Sequence, residues 1–287
     1  MSSERDLLSY RDAIAAAMST ALADNPAAVL LGQGVNDPTR IFGTTAGLVE
    51  RFGTDRVIDL PIAEEASTGL AIGLALGGVY PIQTHIRADF LVLALNQLIN
   101  LASKYRYMYG GAFEIPMLIR AVVGRSWGQG PQHSQSLATT LAHIPGLTVI
   151  MPSCASDVLQ SYRYATTHFK NPVISIEHRF LYDLDFRVTE TARQDTAAFT
   201  GRVVRPGDDL TIVATSYMVQ EAQRAARWLA DHGGPSCQIL DPLQVSSLDH
   251  DWILDHVRQT GRLVVAATGW SPYGLSAEIC RGIAERD

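Results

Sequence analysis

Apolar residues along this chain recur at two spacings, and the alternation between the two lays out its elements. Over residues 8–24, Ala13, Ile14, Ala17, Met18, Ala21 and Leu22 fall on one helical side, and Asn25-Pro26 ends that helix. Short apolar runs read as buried strands over 28–31, 57–60, 80–85, 116–123, 147–151 and 173–177. Helical spacing covers 66–77, 90–107 and 155–168 between them. The 66–77 stretch carries no charge, and a helix apolar all round is a buried helix. Strands alternating with helices predict a parallel sheet covered on both faces.

Residues 183–209 are richer in charge and contain the turn Pro206-Gly207-Asp208-Asp209. A second α/β unit follows, with strands over 210–215, 237–240 and 263–267 and helices over 218–231, 249–259 and 274–285. The predicted organisation is an α/β domain over 1–190, a linker over 191–209 and a smaller α/β domain over 210–287. Composition supports a well-buried α/β protein, with 47 % apolar and 18 % charged residues. The net charge of −6, with basic residues scattered, excludes a nucleic-acid footprint. Cys154, Cys237 and Cys280 are too few and too far apart for a disulfide framework or a zinc site. The N-terminus lacks an apolar signal region, and no uncharged apolar run reaches the roughly 18 residues of a membrane span. A soluble cytoplasmic protein with no membrane association is the expectation.

The chemistry concentrates at Leu60-Pro61-Ile62-Ala63-Glu64-Glu65, where an apolar run meets two acids and opens into the uncharged helix. Two readings are open for these acids. A carboxylate beside a core is rare unless something pairs with it, which makes Glu64 a candidate for chemistry. Acids also suit first helical turns because the helix dipole favours them, so both could simply face water. Phe90 reads by itself as a core aromatic opening a helix. His133 sits in the polar, glycine-bearing loop 124–136, where Trp127 and the glycines suggest a shaped segment.

Taken in order, several segments carry a family resemblance: Leu60-Pro61-Ile62-Ala63-Glu64, Ala94-Leu95-Asn96-Gln97-Leu98-Ile99-Asn100, Lys104-Tyr105-Arg106-Tyr107, Gln132-His133-Ser134-Gln135-Ser136, Ile144-Pro145-Gly146-Leu147, Asn171-Pro172-Val173, and Gly269-Trp270 with Gly274-Leu275-Ser276-Ala277-Glu278-Ile279. Over essentially its whole length the chain resembles the β subunit of the thiamine-diphosphate-dependent decarboxylating component of 2-oxoacid dehydrogenases. The resemblance implies a transketolase-like pyrimidine-binding domain followed by a shortened transketolase C-terminal-like domain. It implies that Glu64 hydrogen-bonds a ring nitrogen of the cofactor's aminopyrimidine and supports proton removal from the thiazolium carbon. It further implies that backbone around Ile62 orients that ring, that Phe90 stacks on it, and that His133 faces the reacting carbon and the incoming lipoyl arm.

Departures from the family pattern sharpen the expectations. Gln33 stands near the cofactor where many relatives carry an acid. His85 and Arg87 replace apolar or uncharged residues; they bind a substrate anion, or Arg87 pairs with Asp89 as an ordinary ion pair. The family's metal and diphosphate clamp, Gly-Asp-Gly followed later by Asn, is missing from this sequence. The resemblance therefore implies no metal ligands in this chain, Mg²⁺ and diphosphate held by an α subunit, and an α₂β₂ heterotetramer. Its acyl acceptor would be a lipoyl-bearing acyltransferase. The alternative is a two-chain transketolase-like enzyme moving a two-carbon ketol unit to an acyl carrier protein or a sugar; a noncatalytic relative is a third reading.

Overall fold

A computed structural model describes residues 7–125, 128–194 and 196–286. Trp127 and the first six residues, on which part of the sequence reading rests, lie outside the described residues. The first domain runs β1 (Leu7–Ser9), α1 (Tyr10–Asp24), β2 (Ala28–Gly32), α2 (Leu48–Phe52), β3 (Val57–Asp59), α3 (Glu64–Leu76), β4 (Tyr80–His85), α4 (Ala88–Leu91), α5 (Tyr105–Met108), β5 (Met117–Val123), α6 (Ala138–Ala142), β6 (Thr148–Ile150), α7 (Ala155–Thr167), β7 (Pro172–His178), β8 (Asp185–Arg187) and α8 (Glu190–Gln194). The second adds β9 (Arg202–Arg205), β10 (Leu210–Ala214), α9 (Tyr217–Asp231), β11 (Cys237–Asp241), α10 (His250–Thr260), β12 (Leu263–Ala266) and α11 (Leu275–Ala284).

The predicted parallel sheet is present, six strands in the order β3-β2-β4-β5-β7-β6. Its central strands β4, β5 and β7 are buried along their whole length. That burial explains why apolar residues fall on both faces of these strands, and why the polar ones they carry, Gln83, Thr84, His85, Arg120, Ser175, Glu177 and His178, are buried too. Helices α1 and α7 pack one face around Ile14, Met18, Val158 and Tyr162. The other face is covered by α3 and the segment after it, through Ala71, Ile72, Leu91 and Leu98. The second domain is a four-stranded sheet in the order β12-β10-β11-β9. Its strand β9 pairs antiparallel with β11, so this sheet begins inside the stretch read as linker.

Two local features differ from the periodicity. The helix expected over 90–107 is broken into α4, a 3₁₀ turn at Val92–Ala94, a π turn at Gln97–Ala102 and α5. The Ser103 N–H bonds the Leu98 carbonyl five residues back, at 3.0 Å, which is π winding. Apolar spacing records which side faces the core but not how tightly the backbone winds. The uncharged helix α3 is also buried on one side only: Leu70 and Leu76 are exposed, next to Val92 and Leu93. The reading that α3 is enclosed all round is therefore corrected for the single chain.

A buried ion pair ties the middle of the large sheet together. Arg120 on β5 donates from Nε and Nη2 to the two carboxylate oxygens of Glu177 on β7, at 2.7 and 3.0 Å, and both side chains are fully buried. Tyr162 and Tyr182 donate their hydroxyls to the same carboxylate. Arg120 Nη1 reaches Thr84 Oγ1 on β4 at 3.5 Å.

A second polar cluster joins the domains. Arg202 on β9 pairs with Asp157 of α7 at 3.0 Å and with Asp241 of β11 at 3.4 Å. The Ser153 hydroxyl lies 3.0 Å from Asp157 and 2.5 Å from Asp241. Burial, and then the neighbouring Asp157 charge, push the Asp241 carboxyl up to about 7. Backbone bonds from Met151 N to Leu243 O and from Val245 N to Val149 O continue the sheet edge across the junction.

Removing one member of a buried pair leaves the other charge uncompensated, at a cost of about 3–5 kcal/mol. Arg120→Met is expected to lose about that much stability in urea unfolding. Arg120→Met with Glu177→Leu should recover a large part of it.

Candidate active site

Segments at the carboxyl ends of β2, β3, β4 and β5 meet at the edge where open α/β sheets bind ligands. Gly32 lets the first of them pass close to its neighbour, since a Cβ there would stand 2.4 Å from the Thr84 carbonyl oxygen. Gln33, Glu64, His85, Ile86, Arg87, Phe90, Gln129 and His133 line one pocket with about 550 Å³ of empty space, open to solvent.

Glu64 and Glu65 both lie in the first turn of α3, and the fold separates them. Glu64 is 7 % exposed and accepts from Gln33 Nε2 at 3.3 Å. Glu65 faces outward, where Gln97 Nε2 donates to it at 3.0 Å. Of the two readings left open, the carboxylate beside the core describes Glu64 and the water-facing first-turn acid describes Glu65.

Burial pushes the His85 imidazole down to about 4, against an opposing pull from the Glu64 charge. His85 is therefore neutral near pH 7, and its Nε2 is buried without a hydrogen-bond partner among the described residues. His133 packs edge-on against Phe90, with ring centroids 5.2 Å apart. Its Nδ1 lies 3.1 Å from the Gln129 carbonyl oxygen. A carbonyl only accepts, so Nδ1 carries the proton and Nε2 is left for chemistry. Arg87 donates to Gln129 Oε1 through Nε at 3.1 Å and through Nη2, and to the Ile86 carbonyl through Nη1 at 3.0 Å. Asp89 directs Oδ1 to the Gln135 N–H at 2.9 Å.

Six of the seven residues singled out from sequence thus meet in one place. Ile62 does not join them; it is 82 % exposed in the single chain. Sequence reasoning passed over Gln129, although Gly128 and Gly130, both at φ 72°, mark the loop that presents it. It also passed over the turn Arg40-Ile41-Phe42, whose residues all have positive φ, at 49°, 48° and 59°. Left-handed backbone costs roughly 1–2 kcal/mol per L-residue, and Ile41, buried at the turn's centre, helps to hold it in place.

The donor set suits a flat heterocycle. A buried carboxylate, an aromatic face and a neutral buried imidazole line one wall, with no fixed cation on the carboxylate. Among the described residues no group of three or more His, Cys, Asp or Glu is placed to hold a metal ion.

Comparison with known proteins gives a consistent result. Residues 6–183 match the transketolase pyrimidine-binding domain family, and residues 200–287 match the transketolase C-terminal domain family. The chain is 33 % identical over 281 residues to a mitochondrial pyruvate dehydrogenase E1 component subunit beta-1 of Arabidopsis thaliana, covering 97 % of this chain and 77 % of that one. It is 35 % identical over 289 residues to the acetoin:2,6-dichlorophenolindophenol oxidoreductase subunit beta of Cupriavidus necator, covering 97 % and 84 %. A solved split-gene transketolase, described as an inactive beta4 tetramer, superposes with a TM-score of 0.77 at 22 % identity, covering 97 % and 85 %, and shares the fold.

The lowered pKa of His85 fixes the sign of a pH effect. The folded protein binds that proton less readily than the unfolded chain, where the group titrates near its ordinary 6.5. The stability involved is complete above pH 6.5 and is lost as pH falls toward 4. His178, lowered to about 4 mainly by burial, acts in the same direction. Urea unfolding at pH 7 and pH 5 should show His85→Gln removing part of this slope, which is at most about 1.4 kcal/mol per pH unit per group.

Proposed function

The chain belongs to the transketolase-like, thiamine-diphosphate-dependent family, and from that membership we propose that it is the β subunit of a two-chain 2-oxoacid dehydrogenase of the decarboxylating, acyl-transferring type. The observation that carries this reading is the convergence of Glu64, Phe90 and His133 in one pocket at the carboxyl edge of the parallel sheet. Thiamine diphosphate, when bound, supplies an electron sink next to the substrate carbonyl. The residues of this chain suit its aminopyrimidine half. Glu64 is the hydrogen-bonding partner for a ring nitrogen, and Phe90 offers a face to the ring. Backbone beside Ile62 would orient the same ring from the pocket's outer side.

Neutral His85 puts no counter-charge beside Glu64, so the carboxylate stays available to share a proton. Gln33 orients it through an uncharged amide. His133, fixed by the Gln129 carbonyl, presents Nε2 as an acid or base where the substrate carbonyl and the acyl acceptor would meet. Arg87 suits the carboxylate of the 2-oxoacid, and Gln129 fixes its guanidinium plane.

The diphosphate and Mg²⁺ fall to an α subunit in this reading, in an α₂β₂ assembly that passes its acyl group to a lipoyl-bearing acyltransferase. The exposed apolar side of α3, with Leu70 and Leu76, supports a second chain against this domain. An uncharged helix half in water is completed when another subunit covers it.

The test uses the chain assembled with its α partner. Glu64→Gln should slow hydrogen exchange at the thiazolium carbon by about 10²–10⁴-fold, the usual reach of general acid–base catalysis, while Glu65→Gln changes it little. An unchanged exchange rate in the folded Glu64→Gln assembly would overturn the assignment.

A further inference from the structure

The polar cluster that joins the domains brings more oxygens together than one hydroxyl can bridge. Ser153, fully buried between β6 and α7, places Oγ 3.0 Å from Asp157 Oδ2 and 2.5 Å from Asp241 Oδ2. A serine hydroxyl carries one proton, so it donates to one of these carboxylates at a time. Arg202 Nη2 also donates to this hydroxyl oxygen, at 3.0 Å. One of the two short oxygen–oxygen contacts is therefore left needing a hydrogen of its own.

The two acids are served unequally. Asp157 accepts from Arg202 through Nε at 3.0 Å and Nη2 at 3.1 Å, and from the Ser153 N–H at 3.0 Å. That forked, charge-assisted contact marks it as the carboxylate that keeps its charge. Asp241 is fully buried; its Oδ1 accepts from the Leu243 N–H at 3.0 Å, and Arg202 Nη2 stands 3.4 Å from its Oδ2. With both acids ionised, two negative charges would share one guanidinium out of water, which is costly. A proton on Asp241 Oδ2 makes the cluster neutral and gives each contact a hydrogen: Asp241 donates to Ser153, and Ser153 donates to Asp157. The other elements packed here add no charge. Tyr10 of α1 has its hydroxyl on the Pro152 carbonyl at 3.0 Å, and Cys154 accepts from Arg202 Nη2 at 3.5 Å. Burial holds both groups above their ordinary pKa. From α9 the neutral Gln220 donates to the Ser153 carbonyl at 3.1 Å.

We propose that Asp241 and Asp157 share one added proton through Ser153, which makes the junction between the domains a proton-dependent latch. Docking the second domain on the first takes that proton from water and forms the Asp241 Oδ2–H bond, and the Ser153 hydroxyl turns its own hydrogen to Asp157. The docked Asp241 carboxyl, at about 7 against an ordinary 3.8, keeps its proton at pH values where an exposed one has lost it. The latch is therefore fully tightened below pH 3.8 and weakens as pH rises through 7. His85 and His178, both lowered by burial, act in the opposite direction and at lower pH, so the latch is read between about pH 6 and 8. It does not depend on what the pocket binds.

The test uses the full chain. Infrared difference spectra should show a protonated carboxyl at pH 6 that is lost with a midpoint near 7. Asp241→Asn, whose amide donates as the protonated acid does but does not titrate, should lack that signal. Hydrogen exchange reads the latch itself at the Met151 and Val245 amides, whose bonds cross the junction. Their protection, corrected for intrinsic exchange, should fall roughly tenfold from about pH 6 to 8 in the wild type and stay level in Asp241→Asn. A wild type without the carboxyl signal, a signal retained in Asp241→Asn, or equal slopes in the two proteins overturns the latch. If Asp241→Asn fails to fold by circular dichroism, Asp157→Asn replaces it. Arg202 is then left to Asp241 alone and the carboxyl signal should be gone at pH 6; an unchanged midpoint there overturns the shared proton.

Discussion

The buried pair of Arg120 and Glu177 is the constraint on which the rest of the first domain depends. Two charges have been taken out of water in the middle of a parallel sheet, and the interior must answer every donor and acceptor they carry. It does so from four directions: Arg120 from β5, Tyr162 from α7, Tyr182 from the turn after β7, and Thr84 from β4. An apolar replacement of similar volume would pack, but it would not specify which strand ends stand level with which. The polar network ties β4, β5, β7 and α7 to one another at named positions.

Level strand ends are what the pocket needs. His85 is the residue after Thr84, and Tyr182 supports Phe42. Glu64, His85 and His133 come from the end of β4 and from segments that follow β3 and β5. Their convergence depends on the relative heights of those strands far more than on the loops themselves. The same layout explains how Glu64 is buried and Glu65 is not: the start of α3 is pinned against the sheet edge, so neighbouring residues in one helical turn enter different solvents.

Much of this was legible in the sequence. Strands buried on both faces announce themselves as apolar runs, so the six-stranded sheet and both α/β units could be read directly. Glu64 and His133 were recognisable from segments with family resemblance, Phe90 from its place after the next strand, and Gln33, His85 and Arg87 as departures from the family pattern close to strand ends. What was hidden depends on geometry that no local pattern records. The π turn at Gln97–Ala102 keeps the apolar spacing of a helix. Strand β9 looks like charged linker because one of its residues, Arg202, points a cation at acids distant in sequence. Residues Arg40-Ile41-Phe42 lack the glycine or asparagine that normally advertises left-handed backbone, and so read as ordinary loop.

Arg202 bears on motion as well as on assembly. It opens β9, the strand reached directly after the connection between the domains, where a hinge would have to absorb its torsion. Instead it is held by Asp157 of one domain and Asp241 of the other, with the Ser153 hydroxyl between the acids. A connection gripped from both sides transmits rotation and cannot swivel. The two domains should therefore tumble as one rigid body, and any rearrangement that admits or releases a ligand falls to side chains and loops within the first domain.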